Sequence, residues 1–148
     1  MAQELDFTGE RYVPTERGGI EAEHLHRYYI AKQLTKGKVV LDIASGEGYG
    51  SALISEHAES VIGVDIDKAA VKHASNKYRA DNIEFRHGSC ANIPVDDSTV
   101  DIVISFETIE HHDKHDQMMQ EIQRVLKHDG VLIISSPNKL EYSDAANY

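Results

Sequence analysis

The chain has 148 residues, of which 41% are hydrophobic and 27% charged, with a net charge of −10, so it corresponds to about one water-soluble domain. Its acidic balance and scattered basic residues argue against nucleic acid as a partner, and no apolar run reaches the roughly 18 residues of a membrane span. The single cysteine, Cys90, rules out an internal disulfide, and the first residues lack the features of a signal peptide, so we expect a cytoplasmic protein.

In chain order, the first predicted element is a helix that follows an irregular arm. The first 19 residues combine glycine and proline with mixed charges and show no sustained period. Apolar residues at helical spacing predict a helix over residues 20–34, and Gly37 stands where a terminating glycine is expected. We therefore predict that residues 1–37 form an N-terminal arm and helix.

From residue 38 onward, β-branched runs alternate with helical patterns. The predicted strands cover residues 39–44, 60–65, 83–86, 100–105 and 131–136. The predicted helices are a short one that ends near His57, one capped by Asp67, and an amphipathic one over residues 115–127. This alternation predicts an α/β fold with a parallel sheet covered on both faces, which makes a three-layer core over residues 38–138 and leaves a tail over residues 139–148.

A glycine-rich loop follows the first predicted strand, where parallel α/β sheets bind their ligands. Glycines in this loop, Gly46, Gly48 and Gly50, allow a ligand to approach the backbone closely, and the next helix presents free N–H groups. Asp65 ends the second strand 17 residues after Gly48, where its carboxylate can accept both hydroxyls of a ribose. Together these features predict a bound nucleoside.

The type of nucleoside follows from two positions near this loop. A dinucleotide-binding loop with the pattern G-x-G-x-x-G would need glycine at position 51, which is Ser51. The carboxylate of Asp42, just before the loop, would repel a pyrophosphate but attract the ammonium of an amino acid. The pattern favours a zwitterionic amino-acid nucleoside, and an NAD-binding oxidoreductase is a distant alternative.

The sequence resembles the class I S-adenosylmethionine-dependent methyltransferases. Their motifs are matched, in order and spacing, by Val40–Gly50, Gly63–Asp67, Gly88–Pro94, Asp97–Val103 and Leu126–Leu132. The match spans about residues 38–138. The segments Gly9–Pro14 and His24–Tyr28 are similar to a bacterial subset associated with small-molecule and surface-polysaccharide methylation.

The resemblance implies a Rossmann-like sheet of order 3-2-1-4-5 that binds S-adenosylmethionine and releases S-adenosylhomocysteine. It implies methyl transfer to the oxygen or nitrogen of a small molecule or glycan, and the alternative is a non-catalytic cofactor-binding module or fragment. The cofactor-binding residues that it implies are Asp42, Ala44, Ser45, Gly46, Glu47, Gly48, Asp65, Ile66, Ser89, Cys90 and Phe106.

The sequence departs from the family pattern at three places. Ala44 replaces the usual first glycine of the loop, and Ser89 stands where the family often has an aspartate that accepts the adenine amino group. The family sheet usually has seven strands, whereas this sequence predicts five and no closing antiparallel hairpin. The apolar fifth strand would then have an unpaired edge, from which we expect a homodimer.

Candidate chemical groups follow the fourth predicted strand, in Phe106–His112. His111 or His112 could act as the general base for a hydroxyl acceptor; the alternative is that one packs against the sheet and the other is solvated. Glu107, Glu110 and His111 resemble a magnesium-binding segment of small-RNA 3′-end and some quinone methyltransferases, but relatives without metal share the pattern, so we predict none.

Two tyrosines precede the first strand. Tyr12 and Tyr28 could form part of a lid over the site or pack as ordinary aromatic residues, and the sequence does not choose between these readings.

Overall fold

The computed structural model of the chain describes residues 19–138. The helices are α1 (Gly19–Leu34), α2 (Tyr49–Ser55), α3 (Lys68–Lys77) and α4 (His115–Val125). The strands are β1 (Val39–Ile43), β2 (Ser60–Asp65), β3 (Ile83–His87), β4 (Val100–Phe106) and β5 (Leu126–Ser135), and a 3₁₀ turn (Ile109–His111) follows β4. The tail 139–148 and Tyr12 of the proposed lid lie outside the described residues.

The strands form one parallel sheet of order β3-β2-β1-β4-β5, which confirms the predicted order. The central strand is β1, in which Val40 pairs with Val61 of β2 and with Ile102 of β4. The order reverses direction at β1, because β2 lies on one side of it and β4 on the other. The carboxyl ends of these three strands therefore meet at one edge, with a crevice between them.

Helices cover both faces of the sheet, which confirms the three-layer architecture. On one face, Met118, Ile122 and Val125 of α4 pack against side chains of β1 and β4. On the other, Tyr28 of α1 and Ile54 of α2 pack against the alternate side chains of the same strands. Each such apolar side chain contributes about 1.5–3 kcal/mol when fully buried. The two cores hold β1 and β4 rigidly under the crevice.

The end of α4 differs from the prediction. The helix stops at Val125, and β5 begins at once with Leu126 rather than at Val131. Val100 pairs with Leu126 but Ile102 pairs with Val131, so five residues of β5 span the distance of two residues of β4. The predicted Asp129–Gly130 turn therefore lies inside a bulge of the strand, which accommodates the extra residues without ending the pairing.

The predicted N-terminal cap of α3 is present. The side chain of Asp67 accepts a hydrogen bond of 2.8 Å from the N–H of Ala69 and caps α3. In the part of the chain from residue 19 to residue 138, no helix is long and apolar enough to cross a membrane.

Candidate functional site

A cavity of about 430 Å³ opens at the edge of the sheet where β1, β2 and β4 end. All the predicted cofactor-binding residues except Asp42 and Gly48 line it. Both predicted histidines, His111 and His112, line it as well. After the roles that the sequence predicts, we call the part formed by the glycine loop and the residues after β2 and β3 the cofactor end. We call the part formed by the residues after β4 together with α1 the acceptor end.

The glycine loop is built from left-handed backbone conformations. Ala44, Gly46 and Gly48 have φ angles of 58°, 56° and 93°. A Cβ atom on Gly48 would lie 2.7 Å from the Cβ of Ala74 and 2.9 Å from the ring of Phe85. Gly48 is therefore required for packing of the loop against α3 and β3, and its place is under the loop rather than at the cavity wall.

Asp65 lies at the end of β2, where it is 93% buried but still lines the cavity. Its Oδ2 accepts a hydrogen bond of 2.8 Å from the N–H of Gly46, and its Oδ1 accepts one of 2.9 Å from the N–H of Asp67. A carboxylate has about four acceptor positions, so two remain for ligand hydroxyls. The side chain is thus held in one orientation at the wall of the cavity.

Asp42 is completely buried beneath the loop and does not line the cavity. Its Oδ2 accepts a hydrogen bond of 2.6 Å from the hydroxyl of Ser51, and both oxygens lie 3.2 Å from the donating hydroxyl of Tyr28. Burial raises the pKa of Asp42 to about 7, and these hydrogen bonds oppose the shift. The sequence predicts that the Asp42 carboxylate contacts the ligand. In the structure Tyr28 lines the cavity whereas Asp42 does not.

Tyr28 is held by its neighbours in the layer between α1 and the sheet. Its ring packs edge-on against Tyr49 and Phe106, with centroids 5.5 and 5.0 Å away. A Cβ atom on Gly50 would lie 2.2 Å from this ring, so glycine is needed there for α1 and α2 to approach. Tyr28 therefore packs as an aromatic core residue and also lines the cavity, and its role in a lid stays a prediction.

Glu47 lines the cavity, but its carboxylate is engaged elsewhere. The residue is 99% buried, and its Oε1 accepts a hydrogen bond of 2.6 Å from Lys77. The hydroxyl of Tyr78 donates to Oε2 at 3.2 Å, and His73 Nε2 lies 3.3 Å from Oε1. The side chain fastens the glycine loop to α3. A sequence signal existed, because His73 and Lys77 are four residues apart and share one face of the helix.

The wall near β3 contains Gly88, Ser89 and Cys90. The hydroxyl of Ser89 accepts a hydrogen bond of 3.1 Å from the N–H of Ala91, which closes a local turn. Burial raises the pKa of the Cys90 thiol. Ile66, after β2, is 71% exposed and offers an apolar surface to the same end of the cavity.

At the acceptor end, Glu107 follows β4 in a left-handed conformation, with φ 53°. Its carboxylate accepts a hydrogen bond of 2.9 Å from the hydroxyl of Ser135 and lies 3.4 Å from Arg27 of α1. His111 Nε2 lies 3.7 Å from Glu110 Oε1. The three residues of the metal-like pattern are not brought together, and between residues 19 and 138 no three His, Cys, Asp or Glu side chains form a possible metal site.

His112 makes two contacts inside this end of the cavity. Its Nδ1 accepts a hydrogen bond of 3.0 Å from the N–H of Lys114, and its Nε2 lies 3.4 Å from the sulfur of Cys90. Burial and the neighbouring His115 lower the pKa of His112. The ring therefore joins the acceptor end to the wall near β3.

Sequence reasoning missed His24, which lines the cavity from α1. His24 is half-buried. Its burial and, to a smaller extent, the positive charge of Arg27 lower its pKa. The signal was present in the spacing, because His24 and Tyr28 are four residues apart on a helix and so share a face. Thr108 and Lys114 are further lining residues that were not predicted.

Known proteins with similar sequences identify the family of this chain. The sequence matches the methyltransferase-domain family over residues 41–134. It is 38% identical over 141 residues to a "Probable S-adenosylmethionine-dependent methyltransferase" of Mycolicibacterium smegmatis, a match that covers 94% of this chain and 54% of that protein. A protein of the same description from Mycobacterium tuberculosis is 35% identical over 143 residues, with coverage of 94% and 51%.

The fold has a similar counterpart in the crystal structure of a Pyrococcus horikoshii protein. The two superpose with a TM-score of 0.79 at 27% sequence identity, over 90% of this chain and 66% of that one. The chain spans about half the length of the mycobacterial relatives. The chain belongs to the methyltransferase-domain family, and the resemblance to class I S-adenosylmethionine-dependent methyltransferases is confirmed.

Proposed function

We propose that this chain binds S-adenosylmethionine and transfers its methyl group to a hydroxyl or amine of a small molecule or glycan, with S-adenosylhomocysteine as the second product. The observation that carries the proposal is one continuous cavity with Asp65 and the fastened glycine loop at one end and His111 at the other. The mycobacterial relatives, named for the same methyl donor, support it.

The residues at the cofactor end fit this methyl donor. Asp65 has acceptor positions for two ribose hydroxyls, and Ile66 and Cys90 provide the apolar surfaces that an adenine needs. The backbone N–H groups of the glycine loop suit the carboxylate of the methionine part. S-adenosylmethionine supplies a methyl group on a positively charged sulfur, and alignment with the acceptor in a desolvated cavity supplies much of the catalysis.

Calorimetry and product analysis test the proposal together. We expect S-adenosylhomocysteine to bind with a Kd on the order of micromolar and NAD not to bind. Labelled S-adenosylmethionine with a panel of sugars, phenols and amines should give a methylated product. Binding without any product would favour the alternative of a non-catalytic cofactor-binding module, whereas tight binding of NAD alone would contradict the proposal.

Self-association through β5 belongs to the same proposal, together with a cytoplasmic location. Within residues 19–138, β5 pairs only with β4, and its side chains Val131 and Ile134 are 51% and 41% exposed. An apolar strand edge can pair with a second copy around a twofold axis. Light scattering should show a dimer for the chain and a monomer for Ile134→Lys. A monomer at every concentration would remove this part of the proposal.

A further inference from the structure

We propose that His111, and not His112, is the general base for a hydroxyl acceptor, and that Glu110 is its positioning residue. This inference rests on the proposed methyl transfer and narrows it to an oxygen acceptor. Both histidines follow β4, and both line the acceptor end of the cavity. They differ in what their ring nitrogens contact.

The ring nitrogens of His112 are both occupied. The backbone N–H of Lys114 can only donate, so Nδ1 of His112 must be the acceptor in their 3.0 Å hydrogen bond. In a neutral imidazole the hydrogen is then on Nε2, which faces the sulfur of Cys90 at 3.4 Å. No lone pair of this ring is left to receive a proton from an acceptor.

The surroundings of His112 also disfavour a charged ring. Its ring packs edge-on against that of His115, with centroids 5.3 Å apart, and a second positive charge there would be repelled. Burial raises the pKa of the Cys90 thiol, which disfavours a thiolate that could stabilise an imidazolium. His112 and Cys90 therefore form a neutral pair that fixes the segment after β4.

His111 has the opposite properties. Its side chain is 42% exposed, and in the described range no hydrogen bond is made to its Nδ1. Its Nε2 lies 3.7 Å from the carboxylate of Glu110, which is 24% exposed. The backbone N–H of His111 donates to the carbonyl of Thr108 at 3.0 Å, so the residue is held at the cavity. A lone pair at Nδ1 and a carboxylate near Nε2 are what a histidine base requires.

The proposed methyl transfer to a hydroxyl is a direct displacement at the methyl carbon. A lone pair of the acceptor oxygen forms the new bond to the methyl carbon, while the electron pair of the breaking carbon–sulfur bond remains on sulfur. The acceptor O–H bond breaks, and its proton passes to Nδ1 of His111. The products are the methyl ether, S-adenosylhomocysteine and an imidazolium, whose charge the carboxylate of Glu110 stabilises.

The test compares four variants of the full chain in methyl transfer to a panel of phenols and monosaccharides. His111→Gln should lower kcat by 100-fold or more, on the order expected for loss of a general base. Glu110→Gln should lower kcat about tenfold with KM unchanged, and His112→Gln should lower it less than tenfold. The matched control is His57→Gln, an exposed histidine between α2 and β2, which should retain full activity.

Two further measurements separate failure of the inference from failure of the proposed function. Calorimetry with S-adenosylhomocysteine should give the same Kd for all four variants and the parent chain. Imidazole ¹⁵N chemical shifts at pH 8 should show the hydrogen of His112 on Nε2, with Nδ1 hydrogen-bonded, and an unoccupied nitrogen lone pair in His111. If His112→Gln is the more damaging variant, if His111→Gln keeps its kcat, or if the shifts show a free lone pair on His112, the inference is wrong. If the parent chain methylates nothing, the proposed function fails, and the shifts alone decide the assignment.

Discussion

The two ends of the cavity are built differently. At the cofactor end, the polar side chains are buried and bonded to the framework: Asp65 to backbone N–H groups, and Glu47 to Lys77. At the acceptor end, His111 and Lys114 are exposed, and within residues 19–138 Lys114 has no ion-pair partner. The polar side chains of the cofactor end are therefore part of the folded framework, whereas the exposed side chains of His111 and Lys114 can be exchanged at little cost in stability. Fixed polar side chains at one end and exposed ones at the other are consistent with the proposed binding of a methyl donor beside a separate acceptor.

The largest effect that separates the two ends is expected at Glu47. Glu47→Ala leaves Lys77, Tyr78 and His73 without their buried acceptor and should lower the free energy of unfolding by about 2–4 kcal/mol. At the acceptor end, Glu110→Ala should change it by less than about 1 kcal/mol. Urea unfolding of both variants measures the difference. Equal losses would show that the acceptor end is as much a part of the framework as the cofactor end.

The next effect concerns ligand affinity. Asp65→Ala removes the charge-assisted acceptor proposed for the ribose and should weaken S-adenosylhomocysteine binding about ten- to a hundredfold, which is roughly 1.5–3 kcal/mol. The control is Asp67→Ala, which removes the cap of α3 and should lower stability by about 1 kcal/mol with little change in affinity. Calorimetry measures the affinity and thermal melting measures the stability. The assignment is contradicted if Asp67→Ala weakens binding of S-adenosylhomocysteine and Asp65→Ala does not.

The framework and the cofactor end were largely predictable from the sequence, because their signals are local. Apolar runs predicted four of the strands and an alternating pattern predicted β3, and Gly46 and Asp65, which the sequence predicts to hold a nucleoside, line one cavity. The bulge in β5 was missed, because the Asp129–Gly130 pair has the local pattern of a turn and only pairing with β4 absorbs it. The burial of Asp42 was missed for a similar reason, since it depends on Tyr28, fourteen residues earlier in the chain.

The acceptor end was less predictable, because its residues come from distant elements. The pattern of Glu107, Glu110 and His111 indicated a cluster, but the carboxylate of Glu107 contacts Arg27 of α1 and Ser135 of β5. No spacing within the segment itself contains this information. The contact of His112 Nε2 with the sulfur of Cys90 likewise depends on a residue from the connection after β3.

A smaller effect tests the burial of Asp42 through pH. Its folded-state pKa of about 7 is above the ordinary 3.8, so its contribution to stability is complete below about pH 4 and is lost as pH rises through 7. Asp42→Asn should remove this dependence. The free energy of unfolding of the parent should therefore fall relative to that of the variant between pH 5 and pH 8. Histidine contributions cancel in this difference. The exposed control Asp81→Asn should give a constant difference over the same range.

The smallest expected effect concerns strain in the glycine loop. Ala44 has φ 58°, a conformation that costs a residue with a Cβ atom about 1–2 kcal/mol. Ala44→Gly relieves that strain but adds freedom to the unfolded chain, which offsets about 0.5–1 kcal/mol, so a net gain of about 0.5–1 kcal/mol is expected. Gly46 has nearly the same φ, 56°, and Gly46→Ala should change stability by a similar amount with the opposite sign. Urea unfolding without ligand measures both changes. If Ala44→Gly lowers stability instead, the methyl group of Ala44 contributes more through packing than its backbone loses through strain, and the loop is held by its side chains as well as by its hydrogen bonds.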